Sequence, residues 1–182
     1  MRVIENPVSG ERILIRRSGA QTGGELLSFE LMLPPGAHVP ARHAHPSQEE
    51  VFTVLAGRIR FRVGSRRLDA GPGDTVRIPS GTSHWFGNST AEVARARVEV
   101  RPALRLEELF AATEVIGQSG GRIGRQPRIS DLAALLLEYQ PEVAAPRVPG
   151  WLARALLAVP AWFGRRRQRR ERGQQDPCAG PS

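Results

Sequence analysis

The chain has 182 residues, of which 40% are hydrophobic and 24% charged, a length and composition typical of one globular domain. The net charge is +8 and every basic residue is arginine, which excludes lysine-based chemistry such as Schiff-base catalysis or a Walker-type phosphate loop. A single cysteine, Cys178, excludes an intrachain disulfide framework and a multi-cysteine zinc site.

Short strands separated by turn residues are predicted from residue 11 to about residue 101. Hydrophobic residues alternate with other residues in 27–33, 57–63 and 94–101, the pattern of strands with one buried face. Glycine and proline recur between these segments at intervals typical of tight turns. The pattern predicts an all-β sandwich or small barrel.

A cationic face is predicted on the segment 57–63. Its arginines, Arg58, Arg60 and Arg62, alternate with apolar residues that are predicted to face the core. We interpret this face as a solvated outer surface, with an anion-binding stripe as the alternative.

The period of the hydrophobic pattern changes after residue 104. The segment Arg105–Val115 has helical spacing of its apolar residues, and a second helix is predicted from Ser130, as its N-cap, to Tyr139. The glycine-rich gap of about 14 residues between them is much longer than the turn of a DNA-binding helix-turn-helix motif.

The C-terminal part contains an apolar segment, Trp151–Phe163, followed by a run with six arginines, Arg165–Arg172. An apolar helix usually docks on its own domain or on a second copy of the chain, which we favour. The interfacial aromatic residues and arginines also permit weak contact with an anionic membrane. Nucleic acid is the least favoured partner, because nothing beside the run indicates base recognition.

Candidate metal ligands are concentrated in two stretches, 34–57 and 73–88. His43 and His45 are two residues apart, so they project from one face of an extended segment, and Glu50 follows at the start of the next predicted strand. His84 follows a turn in the second stretch. Three imidazoles and one carboxylate suit Mn, Fe, Co, Ni, Cu or Zn, and do not suit Ca or Mg.

These stretches resemble the two motifs of the cupin superfamily. The first motif contains His43, one residue, His45, four residues, Glu50, six residues, Gly57. The second contains Gly73, five residues, Pro79, one residue, Gly81, two residues, His84, three residues, Asn88. Gly36 departs from the family pattern, since six residues separate it from His43 where five are usual.

The resemblance covers roughly residues 25–101 and implies a jelly-roll barrel, the double-stranded β-helix, with one divalent transition metal ion inside. It implies that His43, His45, Glu50 and His84 are the metal ligands. Glu49 is the alternative to Glu50 as the carboxylate ligand. The family motif places six residues between this ligand and the glycine, and this spacing to Gly57 favours Glu50. His38 precedes the motif on a loop and is expected to be a surface residue or a neighbour of a ligand.

Three units are expected: a cupin barrel over 1–103, a helical C-terminal extension over 104–164, and an arginine-rich disordered tail over 165–182. We expect a cytoplasmic protein, with peripheral membrane contact as the alternative. The N-terminus lacks the apolar core of a secretory signal, and no apolar run approaches the roughly 20 residues that span a bilayer.

The functional prediction is an oxidoreductase of the dioxygenase type, acting on a small organic substrate at a mononuclear site with three histidines and Glu50. Glu50 is also the candidate catalytic base. A metal-dependent isomerase or cyclase, and a non-catalytic module that binds a small ligand, are the alternatives. By analogy with the family, a homodimer is a further expectation.

Overall fold

The computed structural model describes residues 3–6, 10–39, 41–119, 129–140, 142–144 and 158. Nine strands and two α-helices form within these ranges, together with a short 3-10 helix, Ala20–Thr22. The first strands are β1 (Val3–Glu5), β2 (Arg12–Arg17), β3 (Leu27–Leu33), β4 (Glu49–Ala56) and β5 (Ile59–Val63). The remaining strands are β6 (Arg66–Ala70), β7 (Thr75–Ile78), β8 (His84–Gly87) and β9 (Ala94–Arg101). The helices are α1 (Leu106–Ser119) and α2 (Ile129–Glu138).

The strands form two antiparallel sheets. The large sheet has the order β1-β2-β3-β9-β4-β7, and the small sheet has the order β6-β5-β8. Strands that are distant in sequence are neighbours in the large sheet, since β9 lies between β3 and β4. The predicted all-β double-stranded β-helix, or jelly roll, with a C-terminal helical extension is confirmed.

The core lies on the inner faces of the strands, as the alternating pattern predicts. In β3, Phe29 and Leu31 are buried, and they lie opposite Val98 and Ala96 of β9. In β5, Ile59 and Phe61 are buried while the arginines between them are exposed. Three rings of different strands meet in this core, with centroid separations of 5.1 to 6.1 Å: Phe52, Phe61 and Phe86.

A tight turn joins β4 to β5 at Gly57. The residue has a φ of +68°, which glycine adopts without the steric cost of a side chain. A Cβ atom at this position would lie 2.8 Å from Ala94 Cα. Gly57 therefore permits both the turn and its close approach to β9.

The two helices pack on the barrel core. Leu106 and Leu109 of α1 are buried with the barrel residues, and Phe110 makes an edge-to-face contact with Phe29 at 5.3 Å. Helix α1 extends four residues beyond the predicted end. Helix α2 begins at Ile129, so Ser130 lies inside the helix and the prediction that it is the N-cap is wrong.

The described residues do not include the arginine run 165–172, and they include only residue 158 of the apolar segment 151–163. The predictions for these two segments therefore concern residues outside the described ranges. None of the helices in the described ranges is long and apolar enough to cross a bilayer.

Candidate metal centre

The histidine-bearing segments meet where the two sheets come together. His84 is the first residue of β8, and Glu50 is the second residue of β4. His43 and His45 lie between β3 and β4, in an extended segment that makes only isolated bridges and forms no named strand. His43 and His84 exchange two backbone hydrogen bonds, of 3.1 and 2.8 Å, which bring the two motifs side by side.

The structure brings three of the predicted ligands into one cluster. One ring nitrogen from each of His43, His45 and His84 lies within 4.8 Å of the others. The ring centroids of His43 and His84 are 4.3 Å apart, and that of His45 lies 5.1 Å and 5.3 Å from them. Three imidazoles at these separations can hold one metal ion.

Glu50 lies against two of these histidines. Its Oε1 is 3.4 Å from His45 Nε2, and its Oε2 is 2.9 Å from His84 Nε2. Glu50 is 4% exposed and His84 is fully buried. Neither Glu50 Oε2 nor His84 Nε2 has a partner with hydrogen-bond geometry, although both atoms are buried. Buried polar atoms left in this way are costly unless a further group satisfies them.

The backbone fixes the orientation of all three rings. The Nδ1 atom of each ring lies against a main-chain carbonyl, to which a neutral imidazole donates. A ring that donates from Nδ1 keeps an unprotonated Nε2, which is the atom that coordinates metals. The acceptors are the carbonyl oxygens of Ala41 for His43 (3.1 Å), Thr82 for His84 (3.0 Å) and Glu142 for His45.

Burial and charge set the protonation of the cluster. Burial, together with the neighbouring His84 and His45, lowers the pKa of His43 to about 3. Burial by itself would raise the pKa of Glu50, but the adjacent imidazoles of His45 and His84 lower it to about 2. Burial also opposes the charged form of His84, but the contact with Glu50 raises its pKa.

The donor set fits a transition metal ion. Three imidazole nitrogens and one carboxylate form a mixed nitrogen and oxygen set, whereas Ca²⁺ and Mg²⁺ prefer oxygen ligands. The two buried atoms without hydrogen-bond partners, Glu50 Oε2 and His84 Nε2, are the atoms that such an ion would satisfy. The residues therefore fit the divalent transition metal that the sequence predicts.

The structure places the competing residues away from the cluster. Glu49 lies on the opposite side of β4, where its carboxylate pairs with Arg77 at 2.7 Å. His38 approaches the carbonyl oxygen of Val39 through Nδ1, and its ring lies 5.8 Å from that of Trp85.

Sequence reasoning missed Glu142, whose backbone carbonyl contacts His45. The residue follows α2 and is 2% exposed, and its Oε1 accepts a hydrogen bond from the Arg105 backbone at 3.2 Å. A main-chain carbonyl has no signature in the residue type, so no signal in the sequence could have identified it.

Comparison with known families supports the resemblance. The family model described as "Cupin domain" matches residues 29–100, a range that contains both histidine motifs. A curated dimethylsulfoniopropionate lyase, DddQ from Ruegeria pomeroyi, is 38% identical over 74 residues. This match covers 39% of the present chain and 35% of the lyase, so the chain spans about a third of the curated protein that it matches.

Two solved structures are among those similar to part of this chain. A sugar phosphate isomerase from a cupin superfamily, from Silicibacter pomeroyi, has 28% identity and a TM-score of 0.46, with 52% of this chain and 61% of that chain covered. A predicted oxalate decarboxylase from Thermotoga maritima has 22% identity and a TM-score of 0.48, with 56% of this chain and 90% of that chain covered.

Proposed function

Residues 29–100 of this chain are a cupin domain, and from this premise we propose that the protein is a metal-dependent enzyme acting on a small organic molecule. Cupin proteins bind small-molecule substrates or ligands. One observation carries the proposal: three clustered imidazoles have their Nδ1 atoms engaged by the backbone, beside a buried carboxylate whose Oε2 atom lacks a hydrogen-bond partner. This arrangement leaves three Nε2 atoms and one carboxylate available to an ion.

His43, His45, His84 and Glu50 are the proposed ligands of one divalent ion, which can be Fe, Mn, Ni, Co, Cu or Zn. When bound, the ion supplies Lewis acidity toward a substrate oxygen and, if it is redox-active, the electron transfer that O2 chemistry needs. The chain fixes the orientation of the rings, and it buries Glu50 and His84 so that both are shielded from water.

Glu50 is also proposed as the general base. The adjacent imidazoles keep its pKa at about 2, so the carboxylate is ionised at neutral pH. The carboxylate oxygen that does not hold the ion would accept the proton from a substrate carbon or hydroxyl.

Two reaction classes follow from this site. The first is oxidoreductase chemistry of the dioxygenase type, which the resemblance of the ligand set implies. The second is non-oxidative proton abstraction leading to elimination or isomerisation. The matched segment of a dimethylsulfoniopropionate lyase favours the second class, because it is 38% identical over 74 residues. A non-catalytic ligand-binding module is the alternative to both.

The metal centre is tested by elemental analysis of the purified full chain. We expect one transition metal ion per chain, and its loss in His45→Ala and His84→Ala. The matched control is His38→Ala, which removes an imidazole outside the cluster and is expected to keep the metal. Equal metal content in all four proteins would contradict the proposed ligand set.

The reaction class is tested by measuring turnover in air and under anaerobic conditions. The substrates are enediols, flavonols and β-diketones for the oxidative class, and dimethylsulfoniopropionate for elimination. Turnover that consumes O2 and stops under anaerobic conditions supports a dioxygenase. Turnover that continues without O2 supports proton abstraction. Glu50→Gln is expected to lower turnover by about 100-fold or more in either class. Bound metal and a retained small molecule without turnover would support the binding module instead.

A further inference from the structure

We propose that the outer face of the three-stranded sheet binds a small organic anion, at a site separate from the candidate metal centre. A cleft of about 600 Å³ lies on this face, within the size range of small-molecule sites. Four arginines and one tryptophan are among its lining residues: Arg42, Arg60, Arg62, Arg67 and Trp85. The anion site does not depend on the proposed metal chemistry.

The register of the sheet gathers these side chains. Arg62 of β5 lies opposite Arg67 of β6 on one side and opposite Trp85 of β8 on the other. Directly opposed residues have Cβ atoms about 5 Å apart, and like charges in such a pair destabilise a sheet. Arg60 lies two residues from Arg62 and therefore shares its face. An anion between these guanidinium groups would remove the repulsion.

The arginines of this face lack acidic partners. In the part of the chain that the structure describes, Arg60, Arg62 and Arg67 have no carboxylate within 4.0 Å. Asp69 is the acidic residue that lines the cleft, and it pairs with Arg58 at 3.1 Å. Among the described residues, four arginines and one aspartate line the cleft, so its positive charge is only partly neutralised.

Several arginines of the large sheet have acidic partners, so an arginine-rich composition does not by itself explain the cleft. On its outer face, arginines of β2, β7 and β9 pair with carboxylates at 2.7 Å. These pairs are Arg16 with Glu30, Arg77 with Glu49 and Arg101 with Glu99. Four arginines that have no carboxylate of the described residues within 4.0 Å are gathered around the cleft of the small sheet: Arg42, Arg60, Arg62 and Arg67.

Arg42 contributes a guanidinium group that is already positioned. Its Nη2 donates a hydrogen bond to the Gly64 carbonyl at 2.6 Å and approaches the Ser83 carbonyl at 3.5 Å. Its Nε is buried and has no hydrogen-bond partner. A group held in this way loses little conformational entropy when it binds an anion.

Trp85 provides an apolar surface beside the charges. The indole is half-buried, and its ring lies 5.8 Å from that of His38. Gly87 permits this position, because a Cβ atom there would lie 2.9 Å from the indole. The cleft therefore suits an anion with several charged oxygens, which arginine binds in a bidentate manner, and a ring or unsaturated portion that contacts the indole.

Isothermal titration of the full chain tests the site with three anionic probes, ADP, pyrophosphate and citrate, and with neutral adenosine. Binding of at least one anion, but not of adenosine, is expected. The preferred probe identifies the class: ADP indicates an anion with a ring, pyrophosphate a simple phosphate, and citrate a carboxylate. Absence of binding by all three anions would overturn the proposal.

A pair of matched double variants separates the cleft from general attraction to a basic protein. Arg62→Ala with Arg67→Ala is expected to weaken binding of the preferred anion at least tenfold. Arg17→Ala with Arg97→Ala removes the same charge from the exposed surface of the large sheet and is expected to change binding less than twofold. Equal weakening in both proteins would overturn the proposal. Thermal unfolding is measured for both variants, and a melting temperature close to that of the parent shows that each has kept its fold.

Discussion

The Nδ1 atom of His45 lies at hydrogen-bond distance from the backbone carbonyl of Glu142, although 97 positions separate the two residues in the chain. The contact is part of a short paired segment, because Ala44 and Ala144 exchange backbone hydrogen bonds of 3.0 and 2.8 Å. Residues 142–144, which follow α2, therefore lie along the histidine-bearing segment of the barrel and orient one of the proposed ligands.

Two truncations test this support. A chain ending at Tyr139 lacks the Glu142 carbonyl, and we expect its metal affinity to fall about 10-fold to 100-fold, as for the loss of other groups that orient a ligand. A chain that lacks only residues 147–182 keeps the contact and is expected to retain its metal. Metal titration of both proteins measures the difference.

A point variant separates the backbone of Glu142 from its side chain. Glu142→Gln keeps the carbonyl that His45 contacts, so metal affinity close to that of the parent is expected. Equal metal affinity in the two truncated chains would show that the segment does not support the centre.

Glu30 is predicted to make folding stability depend on pH. Hydrogen bonds from Arg16 and Arg95, which flank it on the outer face of the large sheet, lower its pKa below the ordinary value of 4.5. A lowered pKa in the folded state gives stability that is present above pH 4.5 and is lost as the pH falls through the folded-state pKa.

Glu30→Gln is therefore expected to lower the free energy of unfolding by about 1 kcal/mol at pH 7. The difference from the parent should shrink below pH 4.5. Glu99→Gln, which breaks the more exposed pair with Arg101, serves as the control and is expected to have a smaller effect. Urea unfolding at several pH values measures both, and a difference that stays constant with pH would contradict the assignment.

Gly57 is predicted to tolerate no side chain. Gly57→Ala combines a left-handed backbone with a close approach to Ala94, and we expect it to destabilise the fold by about 2 to 4 kcal/mol. Gly64→Ala is the matched control, because Gly64 also has a positive φ but a Cβ atom there would meet no other atom within 4 Å. It should cost only about 1 to 2 kcal/mol. Similar losses for both variants in thermal unfolding would show that the contact with β9 contributes nothing.

Phe52 is predicted to stabilise the barrel through its ring contacts. It is 1% exposed and packs against Phe61 and Phe86, so Phe52→Ala is expected to cost about 3 to 5 kcal/mol. Leu55→Ala on the same strand is the control, since Leu55 is 37% exposed and should cost less than about 1 kcal/mol. Urea unfolding measures both, and a small loss for Phe52→Ala would indicate that the core collapses around the missing ring.

Much of the fold was accessible from local patterns. Alternation in 27–33, 57–63 and 94–101 correctly identified β3, β5 and β9, because the side chains on one face of a strand recur every two residues. The start of α2 was predicted wrongly at Ser130, since helix boundaries depend on capping contacts as well as on residue type.

The strand pattern of the sequence by itself predicted an all-β sandwich or small barrel, and the resemblance of its motifs to the cupin superfamily implied the jelly roll and named the histidines and Glu50 that the structure brings together. Strand alternation and motif spacing are properties of short stretches of chain, so they can be read without the fold. The tertiary structure decided which arginines have acidic partners and which ones surround a cleft. It also decided that the carbonyl of Glu142 meets His45. These features depend on strand register and on main-chain atoms that every residue shares, so only the folded arrangement of distant segments could specify them.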